Sequence, residues 1–65
     1  MSFQPTYTEA RRYESDFSHT IYLAQKRWDH GWDLTQGAGA QIWVSDEQFA
    51  AWEADFLRIV GTRIA

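Results

Sequence analysis

The sequence has no cysteine and one proline, and only six of its 65 residues are Lys or Arg. Without cysteine there can be no disulfide framework and no thiolate zinc site. That matters in a chain this short, which buries only about 60 % of its unfolded surface. Small scaffolds ordinarily compensate with disulfides, a metal or self-association. No apolar run approaches the ~18 residues of a membrane span. Met1-Ser2-Phe3-Gln4-Pro5 has no basic segment leading into a long apolar one, so it does not read as a secretory leader. The expectation is a complete, intracellular protein of the cytoplasm. The basic residues are scattered, so the clustered positive charge of a general DNA or RNA binder is missing. There is no internal repeat and no low-complexity segment.

What is present is aromatic bulk and acid. The chain holds four Trp, four Phe and three Tyr, and its nine acids against six bases set a formal charge of -3. Hydrophobic residues make up 45 %, which excludes intrinsic disorder and allows one small domain spanning 1–65.

Periodicity divides the chain into three segments. Ala10, Tyr13, Phe17, Ile21, Ala24 and Trp28 recur at helical spacing, which predicts a helix over about residues 7–29. Thr6 and Glu9 have capping-box spacing at its start, and Gly31 would stop it. Residues 32–36 and 40–44 alternate around Gly37-Ala38-Gly39 and predict a β-hairpin. Trp32, Leu34, Ile42 and Val44 would share one side of it. Asp33, Thr35, Gln41 and Trp43 would share the other. A second helix is predicted over 46–60, with Ser45 as N-cap, Gln48 completing a capping box, and Phe49, Trp52, Phe56, Ile59 and Val60 facing inward. The expected fold is therefore α+β, helix–hairpin–helix (α-β-β-α), with both helices on one sheet face. The alternative ends the first helix near Ser18. Residues 19–28 then become a strand in a three-stranded antiparallel sheet with a C-terminal helix.

The motifs do not point to catalysis. His19 and His30 lie three turns apart on the predicted helix, too far for one zinc ion with ligand bonds of ~2 Å. Asp16 would be the partner of His19 by its i, i+3 spacing. Gly37-Ala38-Gly39 precedes a strand rather than a helix N-terminus, so it reads as a turn and not as a phosphate cradle. Ser2, Ser15 and Ser18 have no clear His–acid partner, and Ser45 is used as a cap. The sequence thus predicts no enzyme activity, no metal and no cofactor.

Binding is the class that fits. Tyr13, Phe17, Trp28, Trp32, Phe49, Trp52 and Phe56 are assigned to the core, which leaves Phe3, Tyr7, Tyr22 and Trp43 outside it. Trp and Tyr dominate the anchors of protein interfaces, so Trp43 and Tyr22 are candidate anchors. Asp33 is a candidate contact beside Asp29 and His30. Asp46, Glu47, Glu53 and Asp55 on the second helix are a candidate acidic face for a basic groove. The expected function is a small acidic, non-catalytic protein-binding protein. Size and chemistry suit an inhibitor encoded by a phage or other mobile element, one that blocks a basic, nucleic-acid-binding surface of a host complex such as a CRISPR-type defence. Its expected partner is a larger host protein, with no membrane and no direct nucleic acid contact. The alternatives are a homodimeric structural or accessory subunit and a small DNA-binding transcription regulator that uses Arg11, Arg12, Lys26 and Arg27.

Overall fold

The computed structural model describes residues 5–65, so Phe3 lies outside the described residues. They form strands β1 (Tyr7–Ser15), β2 (Ile21–Arg27), β3 (Trp32–Gln36) and β4 (Gln41–Val44), then helix α1 (Asp46–Asp55) and strand β5 (Gly61–Arg63). A single π-helical turn, Phe56–Val60, joins α1 to β5. The strands make one antiparallel sheet in the order β4-β3-β2-β1-β5.

This overturns the helix–hairpin–helix expectation. Residues 7–29 are not a helix but a β-hairpin, and one helix rather than two packs on the sheet. The alternative of a sheet followed by a C-terminal helix fits, with five strands in place of three. Period-two spacing puts Glu9, Arg11, Tyr13 and Ser15 on one face of β1, with Ala10, Arg12 and Glu14 on the other. The helical stripe runs through both strands and the turn between them. It mixes buried Tyr13 and Ala24 with Phe17 and Trp28, which are 77 % and 68 % exposed. Phe17 and Trp28 are therefore not core residues.

Local chemistry at residues 16–20 explains the break. The Ser15 hydroxyl accepts from the backbone N–H of Phe17 and of Ser18, at 3.2 Å each. Such bonds compete with helical ones and favour turns. His19 adopts a left-handed φ of 58°, a conformation foreign to a right-handed helix. Gly31 likewise turns β2 into β3 rather than ending a helix. Its φ is 87°, and a Cβ there would lie 2.2 Å from the Trp43 indole nitrogen. At the far edge a Cβ on Gly61 would lie 1.9 Å from the Glu14 carbonyl oxygen. Glycine is what lets β5 dock on β1.

The hairpin of β3 and β4 matches its alternation, and Trp32 pairs with Val44 and Leu34 with Ile42. Helix α1 begins as its cap signals require. Ser45 accepts from the Gln48 N–H, and the Gln48 side chain accepts from the Ser45 N–H. Because β4 and β5 lie at opposite edges, α1 has to cross the sheet between them. Phe49 stacks on Trp32 at 3.9 Å near the start of β3, while Phe56 meets Tyr13 and Tyr22 at 5.6 and 5.0 Å near the far end of β1 and β2. The crossing is diagonal. Tyr13, Ala24, Trp32, Leu34, Phe49 and Phe56 are buried beneath it, with Tyr22, Val44, Trp52 and Val60 packed around them. Tyr22, assigned outside the core by the helix reading, is a core neighbour because strand pairing sets it beside Tyr13. Ile59, predicted to face inward, is exposed.

Candidate functional site

A diagonal helix on a five-stranded sheet leaves one corner bare. That corner lies where β3 and β4 approach their connecting turn, next to the outer edge of β4. Its floor is Leu34 and Ile42, and Tyr22, Gln36, Ala40, Val44 and Trp52 wall a groove of about 250 Å³. The lining is apolar apart from Gln36 and the Tyr22 hydroxyl. Ile42 stays 55 % exposed although it points to the same side as the core. A hydrophobic side chain inside a groove, rather than on a convex surface, is the usual make-up of a binding site. A second, shallower depression lies between residues 18–21 and 36–40.

Among the described residues no helix covers the opposite sheet face. Register places Gln41, Thr35, Leu23 and Arg12 in one row, and Trp43, Asp33, Gln25 and Ala10 in the next. Trp43 is 48 % exposed there. Its ring lies 5.7 Å from that of His30, and its indole N–H donates to the His30 carbonyl at 3.3 Å. Asp33 is in the same row but only 1 % exposed. Arg27 Nε lies 3.1 and 3.0 Å from its two oxygens, and the Tyr7 hydroxyl donates to one of them at 2.6 Å. The hydrogen bond to Asp33 and burial raise the Tyr7 pKa. A carboxylate so enclosed ties β1 and β2 to β3, and offers nothing to a partner.

The four helix carboxylates do not form one free array. Asp46 binds Lys26 at 3.3 Å and His30 at 2.9 Å and accepts from the Gly31 N–H, which locks the β2–β3 turn to the helix start. Desolvation pushes its pKa up, but Lys26 and the Gly31 N–H outweigh this and leave it lowered. Glu53 points back to the sheet, where it accepts from Arg11 at 2.8 Å and from the Tyr13 hydroxyl. Burial opposes its charge, yet these two donors hold its pKa below the ordinary 4.5. Burial first, and then the bond to Glu53, push the Tyr13 phenol up to about 12. Arg11 also pairs with Glu9 and lies over the Trp32 ring at 4.9 Å. Asp55 pairs with exposed Arg58. Glu47 is exposed and takes part in no ion pair among the described residues.

Chemistry elsewhere is sparse. His19 pairs with Glu14 at 2.9 Å rather than with Asp16, while the Ser18 hydroxyl bonds to Thr20 and not to the imidazole. Among the described residues no three His, Asp or Glu side chains converge as metal ligands, and no helix is long and apolar enough to cross a membrane.

The structure therefore separates the candidates. Tyr22 is a wall of the groove, Trp43 lies on the opposite face, and Asp33 is internal. Leu34, Ile42, Val44 and Trp52 are the groove residues that sequence reasoning assigned to a core or a strand face. Their alternation was visible, but nothing local says that β4 is an edge or that the helix passes Ile42 by. Comparison with protein-family models, with curated proteins and with solved structures finds no match.

Proposed function

We propose that this chain is a small, non-catalytic protein-binding protein that acts by occupying a surface of a larger partner through the corner between α1 and β4. The observation that supports this reading is the apolar groove of about 250 Å³ at that corner, with Ile42 still 55 % exposed inside it. Burial of apolar area contributes about 25 cal/mol per Å², so an isoleucine left wet in a concave site is binding energy not yet used. The net charge of -3 favours a partner with a basic surface. An inhibitor directed by a mobile element at a host nucleic-acid-binding complex in the cytoplasm is the specific role we propose. A DNA-contacting role is the weaker reading. Arg11, Lys26 and Arg27 are held by Glu53, Asp46 and Asp33, and Arg11 and Arg12 face opposite sides of the sheet.

The test is capture from an extract of the cell that encodes the chain, with wild type, Ile42→Lys and Phe17→Ser immobilised in parallel. Ile42→Lys should lose a protein that wild type and Phe17→Ser both retain. Equal retention by all three would move the site away from the corner. No specific retention by wild type would remove the function.

A further inference from the structure

We infer that the corner receives an extended segment of the partner, added as a sixth strand along β4, with apolar residues at alternate positions over the groove and Lys or Arg beside them. This rests on the protein-binding reading above and names the occupant of that site. Strand β4 ends the sheet, so no strand pairs with the outer side of Gln41–Val44 among the described residues. Proteins ordinarily blunt such an edge with Lys, Pro, a bulge or a cover. Gln41-Ile42-Trp43-Val44 has no charge and no proline, and its pairing with β3 runs without a register shift. The other edge is built differently. Strand β5 is three residues long and ends at Arg63, whose guanidinium donates to the Ala65 carbonyl. An open edge beside an apolar groove is the arrangement by which sheets bind extended peptides. Main-chain bonds supply affinity there, and alternate side chains supply specificity.

Charge selects the occupant. The groove lining carries no ionised group. Helical spacing puts Asp55 on the same side of α1 as Trp52, and its side chain is 70 % exposed with only the exposed Arg58 to balance it. Glu47, near the other end of the helix, is exposed and in no ion pair among the described residues, and the chain as a whole is acidic. A second copy fits this corner poorly. A two-fold axis pairing β4 with β4 brings together two chains of charge -3, whereas a basic segment meets the opposite charge.

A random decapeptide library selected against the full-length chain tests the proposal. Enriched peptides should alternate apolar residues and carry Lys or Arg. Their binding should shift the backbone amides of residues 41–44, weaken with salt, and fall about tenfold with Ile42→Lys. Methylating the backbone nitrogens of alternate residues should abolish binding in one phase of the alternation and spare it in the other, because only every second amide faces β4. Equal effects in both phases, or enriched peptides that bind as helices or carry acids, would overturn strand addition while leaving protein binding intact. A concentration-dependent dimer in sedimentation, abolished by Ile42→Lys, would give the edge to a second copy and overturn the proposal. An absence of any enriched peptide, with capture from extract also negative, would remove both.

Discussion

Replacing Arg27 by Met tests whether Asp33 is an internal carboxylate. The change keeps an apolar stem of similar length and removes the cation. Asp33 is 1 % exposed, and apart from Arg27 its carboxylate has the Tyr7 hydroxyl as partner. Removing one member of a fully buried ion pair costs about 3–5 kcal/mol, because the remaining charge is left without compensation. The Arg27 side chain is 35 % exposed, however, so water can enter where the guanidinium was. That access reduces the expected loss to about 2 kcal/mol. For a domain of this size 1 kcal/mol corresponds to roughly 4–8 °C, so Tm should fall by about 8–16 °C. Asp33→Ala should cost less, about 1 kcal/mol, because the freed guanidinium can turn into solvent and only the hydrogen bonds are lost. The double variant should resemble Asp33→Ala rather than the sum of the two, since no buried charge remains. Thermal and urea denaturation of the four proteins close the cycle. Arg27→Met no worse than Asp33→Ala, or strict additivity, would refute the enclosed carboxylate and return Asp33 to the surface.

Two further outcomes follow from the same geometry. Phe17→Ser and Trp28→Ser should each change stability by no more than about 0.5 kcal/mol in urea denaturation, as exposed positions do; core aromatics, which the helix reading makes them, would cost about 3–5 kcal/mol. The Glu53–Tyr13 pair should shape stability at both ends of the pH scale. The Glu53 pKa is lowered on folding, so its contribution is present above the ordinary 4.5 and fades as pH falls through the folded value. The Tyr13 pKa is raised to about 12, so its contribution is complete below its ordinary 10 and is lost as pH rises toward 12. Tm followed against pH should therefore lose acid sensitivity in Glu53→Gln, and Tyr13→Phe should remove a phenol that titrates at about 12 from an ultraviolet titration.

The legible parts of this chain are those whose cause lies within a few residues. The Ser45–Gln48 capping box, the glycine turn at 37–39 and the alternation that separates Trp43 from Ile42 all depend on neighbours in sequence, and all are found in the fold. Residues 7–29 misled because six apolar residues happen to recur at helical spacing across two strands and a turn. The hydrogen bonds of Ser15 and the left-handed backbone of His19 break the chain there, and neither is visible in the spacing of apolar residues.

The candidate site divides in the same way. The surplus of aromatics and acids and the absence of cysteine can be read without coordinates, and the expectation of a binding role rests on them. Which of those residues are free could not be read. Asp33, Asp46 and Glu53 are taken up by Arg27, Lys26 and Arg11, and two of these partners lie more than fifteen residues away in the chain. Whether β4 is an edge depends on β5 docking at the opposite side, and whether Ile42 is covered depends on the angle at which α1 crosses to reach it. Turns, caps and side-chain alternation follow from local bonding and sterics. Edges, grooves and unpaired charges follow from contacts between distant segments, such as Tyr13 with Tyr22 and Arg63, which exist only once the sheet has formed.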